Sequence, residues 1–246
     1  MIRHTVPSPA RIRRAPALVA VLGASGFILF FALAHLVQPG IEPSWQPPSE
    51  LALGASGWVM TTAFLVLGAA CAGLALALAS QVVTWPGRIG IVAVFAAAIG
   101  CLVAGVFPAD PITTAPDAMT LAGTLHSIGP VLFDGIPIAS VLLAVSLTRH
   151  SAAWRRVRPV LVIGATLSVG AAVLLTVSLA TLMPETGQLG PDVPVGWQGR
   201  FLLLANALWV IAVGACALKI RRSVDPAASD RAASDATATS TSGRVS

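Results

Sequence analysis

Tyrosine is absent from this 246-residue chain, and Lys219 is its only lysine. Charged residues make up just 10% of it. A soluble domain carries about 25%, so this chain cannot cover a water-facing surface, and the solvent for most of it must be lipid. Cysteine is scarce too: Cys71, Cys101 and Cys216 all lie inside apolar runs, and no CxxC occurs. That argues against a disulfide framework or a cysteine metal site and leaves small, polarizable packing residues. GxSxG, Walker A and a strand-borne GxGxxG are missing as well, which removes the usual signatures of serine hydrolases and nucleotide enzymes.

What the chain has is apolar length. It is 56% hydrophobic, with a mean hydropathy of +0.84. About 20 mostly apolar residues cross a bilayer as a helix, and six segments qualify. They run from about Pro16 to Val37, Gly57 to Ala79, Ile89 to Phe107, Leu121 to Leu147, Pro159 to Leu182 and Gly199 to Ile220. The runs are too long for strands and do not alternate. The expected fold is therefore an all-α polytopic membrane protein, a six-transmembrane-helix bundle. The 22 glycines and 18 prolines do not disturb this reading, because neighbouring membrane helices satisfy the backbone groups they free.

The net charge of +5 does not point to nucleic acid, because the arginines sit at the ends of apolar runs. Arg3, Arg11, Arg13 and Arg14, then Arg88, then Arg149, Arg155, Arg156 and Arg158, then Lys219, Arg221 and Arg222 fall in alternate connections, which all lie on one side of the membrane. The opposite loops carry no Lys or Arg before Arg200. Lys and Arg enrich cytoplasmic loops, so both termini are expected in the cytoplasm and the protein in the plasma membrane; the richness in Arg and Ala suggests a GC-rich bacterial genome. The expected organisation is a cytoplasmic basic tail (1–15), a membrane domain (16–222) and a disordered cytoplasmic tail (223–246) too poor in apolar residues to fold. Ala32-Leu33-Ala34 resembles a signal-peptide cleavage site, but the apolar stretch is long for one and runs on into His35, so helix one is read as retained. Trp58 and Trp197 at outer helix ends, and Trp85 and Trp154 at inner ones, fit an interfacial belt. Gly100 with Ala104, and Gly164 with Ser168, are spaced to let helices approach closely.

Few residues carry chemistry. Asp134 lies near the middle of segment four, where a carboxylate is costly and must face the bundle interior, be paired or be neutral. Gly129, Pro130, Gly135 and Pro137 surround it, so a kink or break is expected there, and broken membrane helices commonly line a cavity. His126 lies two turns earlier. His35, Asp110, His126 and Arg200 should share a depth near the outer face, with Asp134 beneath them as the floor of a pocket. Zinc accepts such side chains, but no HxxxH, HExxH or HxD spacing is present, so no metal and no cofactor are expected. Thr114-Ala115-Pro116-Asp117 has the pattern of a helix start, which would begin helix four outside the membrane.

Four short stretches form a familiar set: Gly57-Trp58-Val59-Met60, Gly105-Val106-Phe107-Pro108-Ala109-Asp110-Pro111, Gly123-Thr124-Leu125-His126, and Trp197-Gln198-Gly199-Arg200. Together they resemble the bacterial and archaeal six-helix membrane family known as domain of unknown function 998, over roughly Ala15 to Leu218. The resemblance implies six membrane helices and gives Asp110 and His126 weight beyond their spacing. Asp134 is not part of that pattern. The six-helix plan is also similar to eukaryotic DRAM-type membrane proteins, which implies lipid- or membrane-regulatory roles. The leading expectation is a non-enzymatic protein that binds or transports a small or lipid-like ligand from the outer face. His35, Asp110, His126, Asp134 and Arg200 are its candidate ligand-binding residues and membrane lipids its expected partners. A membrane-embedded hydrolase and a structural or regulatory subunit are the alternatives. A protein partner or a homo-oligomer stays open.

Overall fold

The computed structural model describes residues 12–185 and 189–224. Most of the expected basic tail, and the expected disordered tail from residue 225 on, lie outside the described residues. Among the described residues all regular structure is helical. The helices are α1 (Arg14–Val37), α2 (Trp58–Leu78), α3 (Trp85–Val106), α4 (Leu121–Phe133), α5 (Ile136–His150), α6 (Ala152–Arg156), α7 (Arg158–Leu182) and α8 (Gly196–Val224). Six stretches are long and apolar enough to cross a membrane: Arg14–Val37, Trp58–Gln81, Trp85–Val106, Leu121–His150, Arg158–Leu182 and Gly196–Ser223. They coincide with the six expected segments and extend most of them by a few residues. Helix three, for instance, starts at Trp85 because the Thr84 side chain accepts from Gly87 N–H and Pro86 fits the first turn.

Lipid offers no hydrogen bonds, so a span must satisfy its own backbone, which an α-helix does. Apolar contact alone does not hold such helices together, because lipid is as apolar as leucine. Close packing of small residues does. Gly73 of α2 is so near α1 that a Cβ there would sit 2.7 Å from the Pro16 carbonyl oxygen. The two spaced pairs of small residues mark similar approaches. A Cβ on Gly100 would sit 2.5 Å from the Gly129 carbonyl oxygen, and one on Gly129 would sit 2.9 Å from Ala104 Cβ. Gly164 meets Trp209, and Ser168 donates to Asn206 Oδ1 at 2.6 Å inside the α7–α8 interface.

The helices follow one another around the bundle. The main contacts run α1 with α2, α2 with α3, α3 with α4 and α5, α5 with α7, α7 with α8, and α8 back to α1, with α2 also meeting α8 across the centre. Span four does break where expected. Asp134 and Gly135 form a turn between α4 and α5, and Pro130 inside α4 withholds a ladder donor one turn earlier. The two halves then pack differently: α5 lies on α3 and α7, whereas α4 lies chiefly on α3. A gap is left between α4 and α7.

The structure corrects two expectations. Helix four does not start at Thr114. Pro116–Ala118 forms an isolated 3₁₀ turn, and α4 begins at Leu121 with Thr120 as its cap. The cap sits there because Thr120 is itself anchored by Asp110, while Met119 before it is extended. Nor is Trp154 an interfacial ring: in the short α6 it is fully buried, 0% exposed, whereas Trp58, Trp85 and Trp197 are exposed.

Candidate functional site

The connections α1–α2, α3–α4 and α7–α8 meet at one end of the bundle, and most of the candidate residues lie in or under them. Phe107 precedes a proline, which drives it to extended backbone (φ −98°, ψ 118°) and ends α3. Its carbonyl then receives a hydrogen bond from His126 Nδ1 at 2.9 Å. A few residues on, Asp110 turns back onto the start of α4. Its Oδ2 accepts from the Thr120 N–H at 2.7 Å and its Oδ1 from the Thr120 hydroxyl at 2.9 Å. Thr120 Oγ1 in turn accepts from Gly123 N–H at 3.0 Å. A Cβ on Gly123 would sit 2.1 Å from Asp110 Oδ2, so the carboxylate occupies the space that glycine leaves. The Phe-Pro-x-Asp and Gly-x-x-His stretches are thus two halves of one clasp between α3 and α4.

Arg200 and His35 form a second clasp. Arg200 lies near the start of α8 but is only 2% exposed. It is enclosed because the loop after α1 folds over it. Its Nη1 donates to the carbonyls of Pro43 (3.2 Å), Gln46 (2.6 Å) and Gly196 (3.0 Å). Its Nε donates to His35 Nε2 at 2.9 Å. His35 Nδ1 bonds the Phe31 carbonyl at 2.8 Å. A carbonyl only accepts, so Nδ1 carries the hydrogen and Nε2 supplies the lone pair that Arg200 meets. Trp197 lies against the guanidinium at 6.0 Å.

Sequence reasoning missed Glu50. It is 5% exposed and lies in the short 3₁₀ helix Pro48–Ala52 that roofs the bundle. Its Oε1 accepts from Ile112 N–H at 2.7 Å and its Oε2 from Gln46 Nε2 at 3.2 Å. The Gln38 side-chain amide donates to the Leu51 carbonyl. The roof is therefore tied to α1, α8 and the α3–α4 connection.

Beneath the roof is a partly open cavity of about 220 Å³. Pro47, Pro48 and Ser49 cover it. Phe64 of α2, Cys101 and Ala104 of α3, and Leu202 and Leu203 of α8 form its inner walls. Leu175 and Leu179 of α7 face His126, Gly129, Pro130 and Phe133 of α4 across it, and Asp134 lies at its rim. Pro130 and Asp134 are exposed, so the mouth lies on the side where α4 and α7 part. His126 is 5% exposed, and its Nε2 has no hydrogen-bond partner. With Nδ1 committed to Phe107, Nε2 of the neutral ring is an acceptor.

The candidate residues therefore fall into three groups. His126 and Asp134 share the cavity. Asp110 fixes the helix that carries them. His35 and Arg200 bond each other and hold the roof. Among the described residues no group of three or more His, Cys, Asp or Glu side chains is placed to hold a metal ion.

This architecture is that of a polytopic helical membrane protein, six spans with a cavity among five of them under a tied loop cap. The family described as protein of unknown function (DUF998) matches residues 21–216, and the chain belongs to it. No curated protein and no solved structure matches the sequence.

Proposed function

We propose that this protein binds or transports a small or lipid-like ligand in the plasma membrane, with both termini in the cytoplasm and the roofed end outside. The observation that carries the reading is His126, a buried imidazole with an unpartnered nitrogen on the wall of an otherwise apolar cavity. Native proteins rarely leave a buried polar atom unsatisfied without a reason. Apolar pockets with a few placed polar groups are the usual form of small-ligand sites. The mouth between α4 and α7 gives an amphiphile a lateral path from the outer leaflet, which suits a ligand already dissolved in lipid. In this reading His126 and Asp134 meet the ligand, while Asp110, His35 and Arg200 keep the wall and roof in place. The orientation rests on the arginines at the end opposite the roof.

Native mass spectrometry of the detergent-purified protein tests the reading, beside a His126→Ala, Asp134→Ala double variant matched for elution and thermal stability. A bound organic mass on the wild type that disappears from the variant is the expected result. Bare protein in both samples would overturn it in favour of a structural subunit.

A further inference from the structure

We infer that the cavity takes a lipophilic cation, an amphiphile whose positively charged head sits against Asp134; the inference rests on the binding reading above and names its ligand class. Asp134 is the one formally charged side chain among the described residues that line the cavity. It lies near the middle of the 30-residue span Leu121–His150, where an unpaired carboxylate is costly. Among the described residues its carboxylate has no hydrogen-bond or ion-pair partner. Arg200, at the roofed end, bonds three carbonyls and His35 through Nη1 and Nε, keeps Nη2 buried without a partner, and does not line the cavity. The protein supplies the anion and leaves its partner to come from elsewhere.

The Ser49 hydroxyl can donate or accept, whereas the polar features of the α4 wall share the sign of the carboxylate. His126 Nε2 is an unpartnered acceptor. Pro130 has no N–H to donate to the His126 carbonyl, so that turn of α4 is also short of a donor. Phe64 and Phe133 add two aromatic rings to the lining, whose faces attract cations. A ligand with an anionic head would meet acceptors and a like charge here. A cationic one meets a counter-ion and rings.

Space for a tail adjoins the charge. An apolar groove of about 590 Å³ runs between α5 and α7, lined by Ile138, Val141 and Val173 among others. Its lining begins at Pro137, three residues after Asp134 and just past the break between α4 and α5. The carboxylate thus stands at the rim of one apolar space, with a second beginning about one turn further along the chain, an arrangement that suits a single-headed amphiphile.

The test uses the full chain in digalactosyldiacylglycerol nanodiscs, whose lipid head carries no ammonium, and radiolabelled decyltrimethylammonium, by equilibrium dialysis with empty discs subtracted. Saturable binding is expected, weakened by roughly tenfold or more in Asp134→Asn and kept in Asp134→Glu. The uncharged isostere, with carbon in place of nitrogen, should not displace the probe from the wild type. Equal affinity in wild type and Asp134→Asn, displacement by the isostere, or no saturable binding would each overturn the inference. The isostere comparison needs no variant, so it stands even if Asp134→Asn folds poorly. Saturable binding of the isostere, together with a neutral mass in native spectra, would defeat the cation while leaving the binding reading intact.

Discussion

Replacing Arg200 with methionine keeps an unbranched apolar stem and removes the guanidinium that ties the roof to α8. Two of its bonds hold the loop directly, to the carbonyls of Pro43 and Gln46 at 3.2 and 2.6 Å. A hydrogen bond to a charged group contributes about 1.5–3 kcal/mol net. Taking the lower value for both, the loop loses about 3 kcal/mol of hold, a factor of about 100 in its opening equilibrium. The bond from Gly196 N–H to the Ser44 carbonyl, 2.9 Å long, joins the same two elements, so its amide reports the opening. Hydrogen exchange followed by mass spectrometry should show faster exchange at Gly196 and in residues 44–53, with the middles of α2 and α3 unchanged. Arg200→Lys should fall between the two, since one ammonium cannot reproduce the forked contact with His35 and the carbonyls. If Arg200→Met left exchange at Gly196 and in the loop as in the wild type, the clasp would not be what holds the roof.

Gly123→Ala should lower thermal stability by about 1–3 kcal/mol, because the new Cβ displaces a carboxylate that two bonds hold in place. In an Asp110→Ala background the same change should cost far less, and a double-mutant cycle read by thermal unfolding checks this coupling. For topology, a reporter fused after Ser246 that is active only in the cytoplasm should be active. An exported signal there would reverse the orientation and place the roofed cavity on the inner side.

The spans were legible because the bilayer admits so few solutions: a run of apolar residues with no charge has to be helical and long. The break at Asp134 was equally plain, since Pro130, Gly135 and Pro137 each weaken the ladder on their own. The roles of the polar residues were not legible in the same way. Nothing local in the sequence shows that Arg200 is enclosed; the carbonyls that enclose it come from a loop more than 150 positions away in the chain. Glu50 sits in a proline-rich loop with no periodicity, and its main donor, the Ile112 N–H, is 62 residues distant. The start of helix four is hidden in the sequence for a related reason. Thr114 and Thr120 are similar as local signals, and the choice between them is made by Asp110. Local chemistry set the elements, and tertiary partners decided which polar groups would be spent on structure.

The division of span four into two short helices has a consequence for how the chain enters the membrane. α4 has 13 residues and α5 has 15, so each rises only about 20 Å, well short of a hydrocarbon core of about 30 Å. Neither half can be threaded through the translocon as a span in its own right. They must be released together, with the Asp134 carboxylate at the seam. α3 is the preceding span and the one that later packs against both halves. It is therefore placed to act as an escort during synthesis, receiving a segment whose polar middle would otherwise favour slipping back into water.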